Sequence, residues 1–436
     1  MTGGNAPTGT SHGALSYEAA LAAVLHDAAP VAVEHVALTD AGGRALAERV
    51  VSTIALPPWD NAGMDGYAVQ RSDVHGASNE QPVVLRVTGN IAAGADPAAL
   101  PPVSAATAVR IMTGAPLPTG ASAVIRIEDT DGGRDRVSVR SDRDLAGRSN
   151  VRPRGEDIAE GDVLFEAGTT LGPSHLGVLA SIGVAVVAVH RRPRVVLLSG
   201  GDELVLLDRF EEARQGRRIV SSTTYALPAL LRGFGAQVDV RPLMPDTLVA
   251  TTEALRLAIA THPDVIITTG GVSVGEHDYV RDALTALGGT IDFWRARIRP
   301  GGPIGTGSMN GVAWLGLPGN PVSSMVTAML FGGPLIRRMG GHARTAHLTL
   351  RARMLDSAPT PAPLAHFLRV TVQQGNDGTL EARLAGAQGS NLLRTMAVAN
   401  ALLRVPETAA SAEAGVEYDV LLLPGALWQS TPAFFA

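Results

Sequence analysis

The chain has 436 residues, 45% of them hydrophobic, a formal net charge of −5 at pH 7 and no cysteine. The absence of cysteine excludes disulfides, thiolate catalysis and cysteine-ligated metal centres, and the negative charge disfavours nucleic-acid binding. Every basic residue other than histidine is an arginine, which excludes lysine Schiff bases and the P-loop lysine of common ATPases. The length suggests roughly three domains.

The N-terminal residues are polar and lack the basic and apolar regions of a signal peptide. We therefore expect residues 1–15 to form a disordered leader. The longest nearly unbroken apolar run, Leu176–Val189, is too short and too interrupted by glycine to span a membrane. These features predict a soluble, cytoplasmic protein.

Two helices are predicted after the leader. The alanine-rich segment Ser16–Asp27 is amphipathic, and Ser16 is its expected N-cap. The segment Leu38–Ala47 is predicted to be a second helix, with Thr39 or Asp40 as its cap.

A shaped loop follows, and it carries an acidic residue. The segment Leu56–Val69 contains two prolines, an asparagine and two glycines, which rule out a regular helix or strand. Asp65 lies between Met64 and Gly66, and it either presents its carboxylate to a ligand or caps its own turn. Residues 82–129 then alternate short apolar runs with proline and glycine turns, which is the pattern of a small β-rich domain.

The segment Asn150–Phe165 is charged and loop-like. Its RGED sequence contains Arg154, Glu156 and Asp157, and such a sequence is by itself more typical of a salt-bridged turn than of a binding site. The basic stretch Arg191–Arg194 then marks a domain boundary.

The chain beyond this boundary repeats a strand, a loop and a helix, which is the pattern of a parallel α/β domain. The predicted strand Arg194–Ser199 is followed by Asp202 and Glu203, and the predicted strand Gln237–Leu243 is followed by Asp246. Ligands of such sheets bind beyond the carboxyl ends of the strands. These acidic residues are therefore candidates for one ligand-binding rim.

The next predicted strand, Val265–Thr268, leads into a glycine turn and a helix that ends at Gly288. This arrangement directs backbone N–H groups at an anion, and glycines allow a ligand to approach the backbone closely. The candidate residues of the turn are Gly270, Gly271, Ser273, Gly275, Glu276 and Asp278. Convergence of Glu203, Asp246 and Asp278 would indicate a Mg²⁺ ion, since clustered carboxylates repel one another without a cation. The alternative is an ordinary connection with surface acids.

Arginines recur at alternate positions in the segment Ile291–Pro303. On a strand, Arg295, Arg297 and Arg299 would line one face and form a basic surface. The alternative is the solvated edge of a sheet.

A proline- and glycine-shaped turn joins a strand to a helix within Ala313–Ser324. Its candidate residues are Pro318, Gly319, Asn320, Pro321 and the hydroxyl-bearing Ser323. Short strands are predicted near residues 348–355, 367–372, 380–384, 401–405 and 416–423, and they indicate a small C-terminal β-barrel.

Six stretches are distinctive in combination: MDGYAV, RIMTGAPLPTGA, NVRPRGEDIAEGDVLF, GGVSVGEHDYV, RPGGP and LPGNPVS. In this order they resemble the motifs of the MoeA family, the molybdopterin molybdenumtransferases, which includes the E domain of gephyrin. Proteins of the related MogA/MoaB fold carry a shorter version of the GGVSVGEHDYV motif. The resemblance extends over about residues 16–425.

The resemblance implies a multidomain α/β plus β architecture. The expected parts are the leader (1–15), a discontinuous helical and mixed dimerisation domain (16–52 and 160–190), an inserted β-rich domain (53–159), a MogA/MoaB-like parallel α/β substrate-binding domain (191–340) and a C-terminal β-barrel domain (341–436). It also implies a homodimer, in which Asp65 projects toward the active site of the partner subunit.

The resemblance further implies a reaction. Such enzymes are expected to bind adenylated molybdopterin and molybdate, to cleave the adenylate with Mg²⁺, and to insert molybdenum at the dithiolene with release of AMP. The implied catalytic residues are Asp65, Asp157, Glu203, Asp246 and Asp278, of which the last three are the implied Mg²⁺ ligands. The implied substrate-binding residues are Thr113, Gly270, Gly271, Ser273, Gly275, Glu276, Arg295, Arg299, Pro303, Pro318, Gly319, Asn320, Pro321, Ser323, Arg369 and Ser390.

The chain departs from the family pattern at two places. Relatives carry -KPGKP- where this chain has Arg299–Pro303, so one lysine is replaced by arginine and the other by Gly302. Gly302 removes a cation from the expected molybdate site, and Arg295 is a candidate to supply it. Relatives carry Asp-x-Asn where this chain has Ser221-Ser222-Thr223.

Two other functions stay open. A molybdopterin adenylyltransferase resembles the α/β domain alone, so the additional domains disfavour it. A paralogue without insertion activity would act as a scaffold that binds the cofactor or a partner such as the adenylyltransferase or a molybdoenzyme, and the changes at Gly302 and Ser221 favour this alternative. Molybdate-dependent release of AMP distinguishes these functions.

Overall fold

The computed structural model describes residues 13–145, 147, 149–272 and 279–425. The chain forms two compact units. The first unit comprises the chain up to Glu48, Ala167–Leu176 and the chain from Val186 onward, and the second comprises Arg49–Glu166 and Gly177–Ala185. In the part of the chain that the structure describes, no helix is long and apolar enough to cross a membrane.

Among the described residues, helices and strands alternate mainly in the α/β part of the chain, and short strands predominate elsewhere. The α-helices are α1 (Tyr17–Leu25), α2 (Pro173–Ser181), α3 (Phe210–Arg214), α4 (Thr223–Gly233), α5 (Leu248–Ile259), α6 (Tyr279–Ala286), α7 (Pro321–Thr327), α8 (Gly333–Met339) and α9 (Leu393–Val398). The strands are β1 (Val33–Ala37), β2 (Val50–Val51), β3 (Asn61–Ala62), β4 (Gly66–Val69), β5 (Val83–Ile91), β6 (Thr107–Ile111), β7 (Ala123–Arg126), β8 (Arg136–Val139), β9 (Val151–Arg152), β10 (Val163–Phe165), β11 (Val186–His190), β12 (Arg194–Ser199), β13 (Leu204–Val205), β14 (Ile219–Val220), β15 (Gln237–Val240), β16 (Val265–Thr269), β17 (Thr290–Arg295), β18 (Ile298–Arg299), β19 (Pro303–Met309), β20 (Val312–Leu317), β21 (Thr349–Met354), β22 (Ala358–Pro359), β23 (Ala365–Gln374), β24 (Leu380–Leu384), β25 (Ala401–Val405), β26 (Ser411–Ala412) and β27 (Glu417–Leu422).

The first unit contains a six-stranded sheet in the order β15-β12-β16-β20-β19-β17. Strands β15, β12, β16 and β20 are parallel, whereas β19 and β17 run antiparallel to their neighbours. Helices α1, α4, α7 and α8 cover one face, and α5 and α6 cover the other. Because both faces are covered, strands such as β12 and β16 are continuous runs of buried, mostly apolar residues.

The C-terminal part of the first unit is a closed β-barrel. Strands β23, β24, β21, β27 and β25 pair in this order, and β25 pairs again with β23. Buried apolar residues such as Val370, Leu403 and Val420 form its core. The buried amide of Asn400 bonds to both the N–H of Val372 (2.7 Å) and its carbonyl (2.9 Å), so it satisfies two backbone groups.

The second unit contains a five-stranded sheet in the order β7-β4-β6-β5-β8. Apolar side chains pack on both of its faces: Tyr67 and Val69 belong to one buried cluster, and Ala68 belongs to another. This alternation follows from the two-residue period of strand β4. Two short antiparallel pairs, β3 with β9 and β2 with β10, complete the unit.

The predicted fold class is confirmed, because the parallel α/β sheet, the β-rich part and the C-terminal barrel are all present. Ser16 caps α1, as predicted, by accepting a hydrogen bond from the N–H of Ala19 at 3.2 Å. The domain boundaries, including that of the leader, stay predictions. Residues 1–12 lie outside the described ranges, and Leu15 forms an isolated parallel bridge with Ala296.

The predicted helix at Leu38–Ala47 is wrong. Only Leu38–Asp40 form a short 3₁₀ turn, and Gly43 adopts a φ of +75°. The N–H of Leu46 then donates to the carbonyl of Thr169 at 3.0 Å. Adjacent glycines disfavour a helix interior, and pairing with a segment distant in sequence satisfies the backbone instead.

Asn400→Ala is expected to destabilise the protein by about 1–3 kcal/mol for each buried backbone group left without a partner. Urea unfolding followed by circular dichroism measures this change. Gln373→Ala, on the neighbouring strand β23, is the matched control, and its effect should stay within about 0.5 kcal/mol. Equal stability of the two variants would contradict the role assigned to Asn400.

Candidate active site

Three loops meet at one edge of the six-stranded sheet because β12, β16 and β20 end in register. Ser199 pairs with Thr269, and Thr269 pairs with Leu317. The loops that follow these residues line a cleft of about 470 Å³, which we call the acidic cleft. Its lining includes Glu203, Asp246, Gly270, Gly271, Gly319 and Asn320.

Two of the three carboxylates predicted to converge, those of Glu203 and Asp246, line the acidic cleft. Asp202 links their loops. The N–H of Asp202 donates to Oδ2 of Asp246, and the N–H of Asp246 donates to Oδ1 of Asp202, both at 3.1 Å. This exchange fixes Asp246 beside the Glu203 turn. The third predicted carboxylate, Asp278, lies outside the described residues.

The glycine turn after β16 requires glycine at two positions. Gly270 and Gly271 have φ values of +79° and +68°, in the left-handed region that favours glycine. A Cβ on Gly270 would also lie 3.2 Å from the carbonyl oxygen of Gly200. The backbone of this turn therefore faces the cleft without side chains. The remaining predicted residues of the motif, Ser273, Gly275 and Glu276, lie outside the described residues.

Hydroxyl groups line the acidic cleft at the start of α4, where relatives are expected to carry Asp-x-Asn. Ser221, Ser222 and Thr223 belong to the lining. The buried Oγ of Ser221 lies 2.7 Å from Oγ1 of Thr224 and 3.3 Å from Oγ1 of Thr223. This wall is therefore neutral, and it lies at the end of the helix that carries partial positive charge.

A second cleft of about 480 Å³ adjoins the acidic cleft. It is lined by the continuous segment Arg295–Pro303 together with Ser323 and Ser390, and we call it the basic cleft. Pro303, Pro318 and Asn320 line both clefts. A ligand that reaches across this shared wall would contact carboxylates on one side and guanidinium groups on the other.

The three arginines of the basic cleft do not share one strand face as predicted. Strand β17 ends at Arg295, and Arg299 belongs to β18, which pairs with β23 of the barrel sheet. Arg297 lies between the strands and forms an ion pair with Glu407. Arg295 and Arg299 are exposed, and neither has an ion-pair partner among the described residues. The chain leaves the six-stranded sheet between Arg295 and Ile298, and the turn at Pro300 and Gly301, where Gly301 has a φ of +100°, returns it to that sheet at β19.

The turn between β20 and α7 is held by its own hydrogen bonds. The hydroxyl of Ser324 donates to the carbonyl of Pro318 and, at 3.1 Å, to that of Asn320. The side chain of Asn320 is exposed, and within the described ranges it does not cap α7. The predicted residues Pro318, Gly319, Asn320 and Pro321 thus line the acidic cleft, and Ser323 lines the basic one.

Arg369 and Ser390 occupy different positions relative to the basic cleft. Ser390 lines it, whereas Arg369 is fully buried behind the loop that carries Ser390. The guanidinium of Arg369 donates to Oγ1 of Thr395 (2.7 Å) and to the carbonyls of Ala387 (3.0 Å) and Gly389 (3.1 Å). Burial lowers the pKa of Arg369. Its hydrogen bonds in this structure thus hold the loop of Ser390.

Comparison with known proteins identifies the family. The chain matches the MoeA N-terminal region (domain I and II) over residues 15–183, the probable molybdopterin binding domain over residues 196–338, and the MoeA C-terminal region (domain IV) over residues 351–423. It is 37% identical over 391 residues to molybdopterin molybdenumtransferase 2 of Mycobacterium tuberculosis, covering 88% of this chain and 94% of that protein. The chain belongs to the MoeA family of molybdopterin molybdenumtransferases.

Other members of the MoeA family are similar over comparable lengths. The molybdopterin molybdenumtransferase of the cyanobacterium Nostoc is 36% identical, with 90% of this chain and 89% of that protein covered. The crystal structure of the molybdopterin biosynthesis moeA protein from Pyrococcus horikoshii superposes with a TM-score of 0.81 at 28% identity, covering 94% of this chain and all of that one. The predicted family and enzyme class are therefore confirmed.

The second unit carries the other predicted MoeA-family residues. Asp65 is exposed, and its Oδ1 accepts hydrogen bonds from both the hydroxyl and the N–H of Thr113, each at 2.7 Å. These bonds hold the pKa of Asp65 below its ordinary value. Asp157 is exposed, and its N–H donates to the carbonyl of Leu56. Catalytic roles for Asp65 and Asp157 stay predictions.

Sequence reasoning missed two residues beside the clefts. Gln388 lines the basic cleft, and its amide both accepts from the N–H of Arg369 (2.8 Å) and donates to its carbonyl (3.1 Å). Glu407 pairs with Arg297, 110 positions away. Neither residue belongs to a sequence motif, so their contacts are apparent only in the folded structure. Asp202 was predicted as a rim carboxylate, but its reciprocal bonds with Asp246 depend on the register of three strands.

Thr113→Val is expected to raise the pKa of Asp65 toward its ordinary value, because the variant loses the hydroxyl that donates to the carboxylate. Since the native pKa is depressed, this carboxylate stabilises the fold above the unfolded-state pKa, and the contribution is lost as pH falls through the native pKa. Carboxyl-detected NMR titration measures both midpoints. Thr119→Val, at another exposed threonine of this unit, should leave Asp65 unchanged. A midpoint unaffected by Thr113→Val would contradict the assignment.

Proposed function

We propose that this MoeA-family protein inserts molybdenum into molybdopterin, using adenylated molybdopterin and molybdate as substrates and releasing AMP. One observation carries the proposal: a cleft with carboxylates shares a wall, formed by Pro303, Pro318 and Asn320, with a cleft whose Arg295 and Arg299 form no ion pair with any described residue. The reaction needs a phosphoanhydride and an oxyanion to be held next to each other, and adjoining clefts of opposite charge are suited to that task.

The acidic cleft is the proposed site of the adenylated pterin. The turn at Gly270 and Gly271 offers backbone to a phosphate group, and the start of α4 favours negative charge. Leu204, Ile219 and Val220 form an apolar wall of the same cleft, against which a flat ring would pack. Phosphate contacts and ring packing together fix where the phosphoanhydride lies.

The residues of the acidic cleft fit a Mg²⁺ ion. Among the described residues, no group of three His, Cys, Asp or Glu side chains is arranged to hold a metal. However, Mg²⁺ is commonly held by one or two carboxylates together with substrate phosphates and water. Glu203 and Asp246 supply such a pair, and Asp278 is the predicted third ligand. When bound, Mg²⁺ would neutralise the charge that develops on the phosphates.

The basic cleft is the proposed site of molybdate. Arg295 and Arg299 supply cationic hydrogen-bond donors, and Ser323 and Ser390 supply hydroxyl groups. These donors suit a small tetrahedral oxyanion. Cleavage of the phosphoanhydride by water yields AMP, and sulfur atoms of the dithiolene replace oxygen ligands of molybdate, which leave as water. The metal is neither oxidised nor reduced in this exchange, so no redox partner is needed.

The remaining roles belong to the same proposal. Asp65, held ionised by Thr113, and Asp157 are proposed to orient water or substrate from a second copy of the chain in a homodimer. A cytoplasmic location is proposed as well.

A cofactor-binding scaffold without insertion activity is the second candidate function. The observation that favours it is Gly302, because it supplies no cation to the basic cleft. A Cβ at this position would lie 3.3 Å from the carbonyl oxygens of both Ala296 and Ile298, so the turn accommodates a larger residue poorly. A scaffold would bind molybdopterin without molybdate-dependent release of AMP.

Glu203→Gln is expected to reduce molybdate-dependent AMP release by at least about tenfold, because loss of a carboxylate weakens Mg²⁺ binding. Excess Mg²⁺ should restore part of the rate. Chromatographic quantification of AMP from adenylated molybdopterin measures the effect. Asp208→Asn, at an exposed acid of the same segment, is the control and should retain the wild-type rate. Full activity of Glu203→Gln would contradict the metal role.

Arg299→Gln is expected to raise the KM for molybdate by about 10- to 100-fold, because it removes a charged hydrogen-bond donor from the oxyanion. The KM for adenylated molybdopterin should change little. Initial rates at varied molybdate concentrations measure the effect, with Arg344→Gln as the control at an exposed arginine remote from the basic cleft. A raised KM for adenylated molybdopterin alone would indicate that Arg299 binds the pterin and not molybdate.

A further inference from the structure

Arg297 differs from the other two arginines of the basic cleft because each of its three guanidinium nitrogens donates a hydrogen bond to a described residue. Nε donates to Oε2 of Glu407 at 3.0 Å, and Nη2 donates to Oε1 of the same carboxylate at 3.1 Å. Nη1 donates to the carbonyl of Ala14 at 2.7 Å. The guanidinium thus bridges two partners in the planar, forked geometry that only arginine provides.

Arg297 and its two partners come from three separate parts of the first unit. Ala14 precedes α1, Arg297 lies between β17 and β18, and Glu407 follows β25 of the barrel. Backbone bonds join the same parts: the N–H of Arg297 donates to the carbonyl of Leu15 at 2.6 Å, and the N–H of Ala365 donates to the carbonyl of Arg297 at 2.9 Å. The segment is therefore held by its side chain and by its backbone on both sides.

Arg295 and Arg299, two positions away on either side, lack the ion pair that Arg297 forms with a described residue. Arg295 and Arg299 are exposed to the basic cleft, and the structure gives neither an ion pair within its described ranges. Glu407 neutralises Arg297, since their hydrogen bonds raise the pKa of Arg297 and lower that of Glu407. Among the described residues that line the cleft, Arg295 and Arg299 are left for an anion and Arg297, between them, is held in place.

We propose that Arg297 is a positioning residue for oxyanion binding: its clamp on Glu407 and the Ala14 carbonyl fixes where Arg295 and Arg299 lie in the basic cleft. The inference rests on the proposed function, in which the oxyanion is molybdate. Arg297 acts through its neighbours and is not itself a ligand of the anion. The clamp also makes the anion site depend on three segments that are far apart in sequence.

Glu407→Gln separates positioning from direct ligation because the two roles predict opposite results. If Arg297 positions its neighbours, loss of the carboxylate releases the clamp and weakens binding. If Arg297 binds the anion, loss of its competing partner adds a free cation to the cleft and strengthens binding. Arg297→Lys is the second variant, because lysine keeps the charge but cannot bridge both partners.

The experiment is titration calorimetry of the full chain with sodium molybdate in the absence of pterin, combined with the molybdate KM and kcat of each variant. We expect both variants to raise the Kd and KM for molybdate by about tenfold, with kcat within about twofold of wild type, since misplaced donors weaken binding steeply. The double variant should be no weaker than either single one, because both break the same clamp. Asp419→Asn breaks the exposed Arg351 ion pair of the same barrel and is the control.

The outcomes are distinguishable. Tighter or unchanged molybdate binding in Glu407→Gln, or wild-type binding in Arg297→Lys, would contradict the positioning role of Arg297. The proposed function is tested separately by Arg299→Gln. If wild-type protein binds no molybdate, or Arg299→Gln binds it as well as wild type, the proposed oxyanion site is wrong. The positioning role of Arg297, which depends on that site, is then wrong as well. Thermal unfolding of each variant shows whether it is folded. If either Glu407→Gln or Arg297→Lys does not fold, molybdate binding by the other variant tests the positioning role.

Discussion

The parallel register of β12, β16 and β20 is the constraint on which the candidate active site depends. Ser199, Thr269 and Leu317 lie side by side at the carboxyl edge of the sheet, so the loops that follow them are forced together. Those loops bring Glu203, the glycine turn and the turn at Pro318 to one cleft, although about 115 residues separate the first strand from the last. The register of these buried strands is therefore the link between the core and the chemistry of the site.

The candidate active site also depends on buried side chains that hydrogen-bond to the loops lining the clefts. Arg369 is buried, and a buried guanidinium is tolerated only when it is hydrogen-bonded. Its bonds to Thr395 and to the Ala387–Gly389 loop meet this requirement at Nε and Nη2 and fix the loop that presents Ser390, whereas Nη1 has no hydrogen-bond partner among the described residues. In the proposed clamp, Arg297 does the same for the segment that carries Arg295 and Arg299. The proposed anion donors lie on strand ends and loops, and the hydrogen bonds of Arg369 and Arg297 hold those segments.

Sequence patterns correctly predicted the strands and the helix cap that are determined by residues close together in the sequence. The strands Arg194–Ser199, Leu380–Leu384 and Ala401–Val405 have the predicted bounds, because runs of apolar and β-branched residues end at clear turn signals. Ser16 was recognisable as an N-cap from its chemistry alone. The carboxylates of Glu203 and Asp246, predicted to share a rim because they follow strand ends, do line one cleft.

The failures have a nonlocal cause. The segment Leu38–Ala47 has an apolar pattern compatible with a helix, but pairing with Thr169 determines its structure. The alternation of arginines after Asp292 suggested one strand, whereas the chain passes into a second sheet between Arg295 and Ile298. Arg369 was predicted to bind substrate from its motif position, and only its burial reveals the bonds to the loop. Contacts between segments remote in sequence decided each case.

The most direct test of the central claim is the location of a heavy oxyanion in the folded protein. Tungstate has the shape and charge of molybdate, and its anomalous X-ray scattering identifies its position without assumptions about chemistry. The account predicts an anomalous peak in the basic cleft, within hydrogen-bond distance of Arg295 or Arg299 and next to the wall formed by Pro303, Pro318 and Asn320. A crystal soaked in tungstate that shows its peak elsewhere, with the basic cleft empty, would contradict the account.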